Sequence, residues 1–198
     1  RSVSLVVSWF GDDFRCASCT IRPRVECADK QTSPLAWSVA GLNRASAPVV
    51  SQHDGQAAYG GTPSDQAIIE QIRHLQAEGL SVTLNPFVLM DIPAGNVLAN
   101  PYDGSGAQPA YPWRGRITCT PAPGRPGTVD KTAAAATQLA SFVGTAAVTD
   151  FALSGDTVVY SGPAEWSYRR FILHYAWLAK AAGGVSAFLL GSELKGLT

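Results

Sequence analysis

The chain has 198 residues, 46% of them hydrophobic, which is enough to fill a core, and no apolar run approaches the roughly 18 residues that span a bilayer. Fifteen basic residues balance fifteen acidic ones, so neither a nucleic-acid stripe nor attraction to an anionic membrane surface is expected. The chain opens at Arg1 with no basic segment and apolar core of a secretory signal, and reads as an excerpt of a longer polypeptide.

Val3 to Trp9 is dense in Val and Leu and runs into Gly11-Asp12-Asp13, the pattern of a buried parallel strand meeting a polar loop. Residues 15–35 have no periodicity and form a loop. It holds Cys16, Cys19 and Cys27, with Cys119 far downstream. Cys16 and Cys19 have the gap of a zinc knuckle but no second pair, so they read as loop cysteines free to pair locally, and no metal site is assigned. Ala36 to Leu42 fits a short second strand.

Thr62-Pro63-Ser64-Asp65 supplies a capping Thr, a Pro at the first helical position and an acid three residues after the cap. The helix that follows carries Ile68, Ile72 and Leu75 on one stripe and ends at Gly79. Leu80 to Leu89 is the next strand. Its Asn85-Pro86 is read as close to a strand end or edge, which sets Asn85 and Asp91 near the carboxyl rim.

From Asp91 to Gly127 the chain is rich in Pro and Gly, with Tyr102, Tyr111 and Trp113 along it; so long an excursion inside a compact domain is usually functional, here facing substrate. Asp130 caps an Ala-rich helix through Val143, and Phe151 to Tyr160 forms a hairpin around Ser154-Gly155-Asp156. Tyr168, Phe171, Ile172, Tyr175, Leu178, Ala179 and Ala182 then recur at helical spacing. Arg169, Arg170 and Lys180 take the other face, and Gly183-Gly184 stops the helix. Val185 to Leu194 is a last apolar strand that runs into Glu193.

This alternation predicts an α/β fold of right-handed parallel units with about four strands. A closed eight-stranded barrel needs about 250 residues, so residues 1–198 fit the N-terminal half of one TIM-barrel-like domain plus a long loop insertion. Carboxyl ends of barrel strands carry the chemistry. Glu193 is therefore the candidate catalytic residue, a general acid if apolar walls raise its pKa, with a plain rim ion pair as the alternative. Trp9 and Trp113 offer flat faces to a sugar ring, although core packing explains tryptophans equally well. Asp12 and Asp13 could bond sugar hydroxyls, yet Gly-Asp-Asp is also ordinary turn chemistry. Arg114 and Arg116 flank a glycine in a way that suits an anionic group. His174 reads as a packed or interfacial residue of its helix, His53 and His74 have no spaced partners, and Gly60-Gly61-Thr62-Pro63-Ser64 lacks the Lys and Gly spacing of a nucleotide loop, so no cofactor is expected.

Several strings together resemble one family: Val7 to Asp13, Tyr59 to Asp65, Pro86 to Pro93, Pro112 to Thr118, Tyr168 to Tyr175, and Gly191-Ser192-Glu193-Leu194. They are similar to the glycoside-hydrolase TIM-barrel-like domain of the host-specificity or baseplate hub protein of gene transfer agents and phage tails. The resemblance implies a tail-tip component, assembled in the cytoplasm, that meets bacterial envelope polysaccharide or peptidoglycan and neighbouring tail subunits, with homo-oligomers in the particle. The wider resemblance to retaining glycosidases puts Glu193 at the acid/base position. Ser192 stands where many relatives carry Asn, next to the substrate 2-hydroxyl. Asn85, Asp91, Trp113 and Arg114 join Trp9, Asp12, Asp13 and Ser192 as the expected sugar-binding set. A retaining mechanism needs a second carboxyl about 5 to 5.5 Å away. None is found at a later strand end before Thr198, so this segment alone is expected to be inactive, leaving glycan cleavage by a complete barrel, saccharide binding, or a structural tail role.

Overall fold

The computed structural model describes residues 1–197. β1 (Ser2–Gly11) is followed by a loop and the two-residue β2 (Ile21–Arg22), then by the pairs β3 (Ser38–Val39) and β4 (Leu42–Asn43), β5 (Gln52–His53) and β6 (Gln56–Ala57). α1 (Asp65–Ala77) leads into β7 (Ser81–Met90). The long excursion, α2 (Ala133–Val143), the hairpin β8 (Phe151–Ser154) and β9 (Thr157–Tyr160), α3 (Tyr168–Ala181) and β10 (Ala187–Phe188) complete the order.

The main sheet runs β10-β7-β1-β2. β1 and β7 pair in parallel along all ten residues of each, β10 adds two parallel pairs, and β2 caps the far edge antiparallel. Among the described residues three parallel strands thus stand where about four were expected, in a partial and unclosed sheet. Missing from the expected set is residues 36–42. That segment doubles back at Ala40-Gly41, whose φ values of 49° and 85° are those of a tight hairpin turn, and it becomes β3–β4 instead of a barrel strand.

Alternation along β7 is regular: Val82, Leu84, Pro86, Val88 and Met90 are buried, and the residues between them are not. The buried set joins Val7 and Trp9 of β1, Ile68, Ile69 and Ile72 of α1, and Phe171, Tyr175 and Leu178 of α3 in one core. Both helices therefore cover one face of the sheet, each placed between the parallel strands it connects. The other face, with Val6, Asn85 and Phe87, stays partly open, and Val6 is 54% exposed.

Pro86 lies in the middle of β7, paired with Val7, not at a strand end. The hydrogen bonds explain how this is tolerated. Ser186 N–H donates to Val82 O and Leu189 N–H to Leu84 O, so the even-numbered residues of β7 turn their backbone toward β10. Pro86 is the next of these and has no N–H to give, and the ladder with β10 ends just before it. The expected strand from Val185 to Leu194 is accordingly cut to Ala187–Phe188, and Leu190 is 72% exposed.

Two helix starts also differ from expectation. Ser64, not Thr62, caps α1 by accepting from Ala67 N–H, while Thr62 is buried and its hydroxyl donates to Ser8 O. Thr132, not Asp130, caps α2. Arg170, expected on the solvent face of α3, is buried: it donates to Glu165 O and lies 3.8 Å over the Trp166 ring. The cysteines are thiols, and Cys16 approaches neither Cys19 nor Cys27 but Cys119, 3.8 Å away; burial, then the neighbouring Cys119, pushes the Cys16 thiol up to about 12.

Glu165 ties the α2–α3 connection together. Its carboxylate accepts from Thr145 N–H and hydroxyl, Ala146 N–H and the Ser167 hydroxyl. Gly144, at φ 79°, is a glycine because a Cβ there would collide with Ser167 and Glu165. Burial pushes the Glu165 carboxyl up, but the hydrogen bonds prevail and hold it at about 2, below its ordinary 4.5. A carboxyl lowered in the folded state contributes stability above its unfolded pKa, and that contribution is lost as pH falls through the folded value. The melting temperature is thus expected to drop between pH 4.5 and 2, and Glu165→Gln to flatten that drop while starting from a lower value at neutral pH. A pH series of thermal melts on both proteins checks it.

Candidate functional site

Beyond β10 the chain crosses the carboxyl end of the sheet and is pinned by the long excursion. The Tyr168 hydroxyl donates to Leu190 O at 2.7 Å. Arg114 donates from Nε to Ser192 O and from a terminal nitrogen to Ser192 Oγ, both at 3.0 Å. The same guanidinium pairs with Glu193 Oε2 at 2.6 Å, and Trp113 Nε1 donates to that oxygen at 2.9 Å. Glu193 itself is held at φ 56°, a left-handed conformation that costs a non-glycine residue about 1 kcal/mol and persists only when its surroundings fix it.

Arg114 is the keystone of this cluster because its fork has several donors in one plane. It is 5% exposed and its guanidinium sits 3.4 Å over the Phe87 ring, on the open face of β7. Burial pulls its pKa down, while the charge of Glu193 opposes that shift. The side chain of Glu193 is 54% exposed and Trp113 is 48% exposed, so the carboxylate and the indole stand at the surface on a buried cationic base. Gly115 has no Cβ, and one there would run into the Trp113 ring; the indole thus packs down on backbone with its outer side clear.

Trp113, Arg114, Ser192 and Glu193 are therefore brought together, although Glu193 stands five residues past the end of β10 and not on a strand end. Trp9 is elsewhere. It is fully buried against Trp166, Phe171, His174 and Tyr175, with ring centroids 5.3 to 5.9 Å away, and has no face left for a sugar. Asp12 accepts from the N–H and hydroxyl of Thr20, eight residues on, and closes that loop. Asp13 pairs with Arg15 and accepts from Gln108; Asp91, just past β7, pairs with Arg24 and accepts from Ser51. These three acids stitch rim loops together. Asn85 is not at the rim but in mid-strand, on the open face, with its Oδ1 buried and unbonded.

Phe87 and Tyr168 belong to the cluster and were not expected there. Phe87 was signalled only by its odd place in the alternation of β7, and Tyr168 read as part of a helical stripe. Among the described residues Glu193 is the one carboxylate bonded into the cluster, and no group of three or more His, Cys, Asp and Glu converges as a metal site. Among the described residues no helix is long and apolar enough to cross a membrane. Comparison with curated proteins finds no match to the chain. Residues 166–198, the stretch that carries α3, β10 and Glu193, match the GTA TIM-barrel-like domain, the family that the sequence strings resemble.

Proposed function

We propose that this chain is part of a glycosidase-derived module in the tail tip of a gene-transfer-agent or phage-like particle, and that the Trp113–Arg114–Ser192–Glu193 cluster holds bacterial envelope saccharide, as peptidoglycan or surface polysaccharide. The observation that carries the reading is the half-exposed indole of Trp113 fixed beside an exposed carboxylate at the carboxyl end of the parallel sheet. An indole face covers the C–H face of a pyranose, and the carboxylate and the Ser192 hydroxyl address its hydroxyl groups. The left-handed backbone at Glu193 supports it, since such strain gathers at binding and catalytic positions. Other tail subunits and further copies of the chain are the proposed neighbours in the particle.

Binding is the role that the observed groups supply directly. Hydrolysis is the second reading, favoured by the position of Glu193 beyond a strand's carboxyl end: it would protonate the glycosidic oxygen, with a second carboxyl about 5 to 5.5 Å away as nucleophile. Titrating the complete protein with purified envelope glycan fragments separates them. Trp113→Ala is expected to lower affinity about tenfold, the loss of one aromatic contact, with an unchanged melting curve. Glu193→Gln leaves binding within a fewfold if the site only binds and abolishes product formation if it cleaves. Affinity indifferent to Trp113→Ala would refute the saccharide site and leave a structural tail role.

A further inference from the structure

The loop that supplies the cluster also walls a cavity of about 550 Å³ lined by Tyr102, Trp113, Arg116, Thr118, Pro123 and Lys195. That volume lies within the roughly 300–1,000 Å³ of small-ligand sites, and the lining combines two aromatic rings with two cations. Arg116 differs from Arg114 in what it has left to give. Arg114 spends its donors on Ser192 and Glu193. The Arg116 guanidinium lies 4.4 Å over the Tyr102 ring and 5.4 Å from Phe14, and among the described residues no oxygen accepts a hydrogen bond from its side chain. Stacking fixes the plane of a guanidinium and leaves its N–H edge available for a planar, two-oxygen acceptor.

Thr118 also lines the cavity, but it is fully buried and its hydroxyl is closed to solvent, so it shapes the wall and is not a contact for a ligand. The nearby acid Asp103 is already engaged, accepting from Ser105 N–H and Asn100. It does not neutralise Arg116 by direct pairing.

We infer that this cavity is the subsite for a carboxylated sugar, whose ring stacks on Trp113 and whose carboxylate is received by Arg116. The inference rests on the saccharide reading above and narrows it to acidic glycans.

The test uses the complete protein and two probes, a galacturonate oligomer and the same oligomer fully methyl-esterified, which keeps the rings and removes the charge. Titration calorimetry is expected to show the acid form binding at least tenfold more tightly than the ester, the value of one or two charge-assisted hydrogen bonds, with added salt weakening only the acid form. Arg116→Gln is expected to erase that difference. Equal affinity for the two probes would overturn the subsite, and because that comparison needs no mutation it holds even if a variant folds poorly. Binding of envelope glycan fragments without binding of either probe also overturns the subsite and leaves the broader reading standing. Failure of every saccharide to bind overturns both.

Discussion

Arg114→Met will destabilise the protein by about 2 to 3 kcal/mol and will loosen residues 189–197 more than the rest, as measured by denaturant unfolding and by amide hydrogen exchange at Leu197. The magnitude follows from what the guanidinium touches. Its removal strands the carbonyl and hydroxyl of Ser192 and takes the cation from over Phe87. Loss of the ion pair with Glu193 adds little by itself, because that carboxylate is half in water. Arg114→Lys separates the effects: one charge remains, but an ammonium cannot reach two Ser192 oxygens and Glu193 in a single plane, so an intermediate loss is expected. If Arg114→Met melts like the parent protein, the cluster is not organised by this residue.

Trp9→Ala is the second large effect, expected at about 3 to 5 kcal/mol by thermal or denaturant unfolding. Trp9 is fully buried and touches four aromatic rings from α3 and the segment before it, so deletion leaves a void that these rings cannot close without moving the helix off β1. The contrast with Trp113 makes the result informative. Two tryptophans looked equivalent in the sequence; one is expected to cost folding and the other only ligand. A Trp9→Ala protein that is stable but fails to bind saccharide would reverse that assignment.

Local pattern carried much of the fold. The Val-rich run of β1, the Ile stripe of α1, the hairpin around Gly155-Asp156 and the periodic α3 were all legible because their signals lie within a few residues of one another. What was not legible depended on distant partners. Residues 36–42 read as a strand because Trp and Val favour one, but nothing nearby reveals that Ala40-Gly41 takes two left-handed steps. Arg170 looked like a solvent residue until Trp166, Tyr160 and Glu165 enclosed it. For the site, the strings Pro112 to Thr118 and Gly191 to Leu194 held its members. Their meeting could not be read from spacing, because it is made by one guanidinium spanning 78 positions of chain. The loop partners of the rim acids were equally hidden: Thr20 for Asp12, Gln108 for Asp13, and Arg24 and Ser51 for Asp91.

The proline in the centre of β7 has an effect well beyond its own ring. A residue with an amide hydrogen at position 86 would let the neighbouring strand keep zipping upward, and Leu189 and Leu190 would be laid flat along the sheet. Denied that hydrogen, the chain is released early, and Glu193 goes on to meet the Trp113 indole. The place where the carboxylate comes to rest is thus set by a donor that one imino acid does not have.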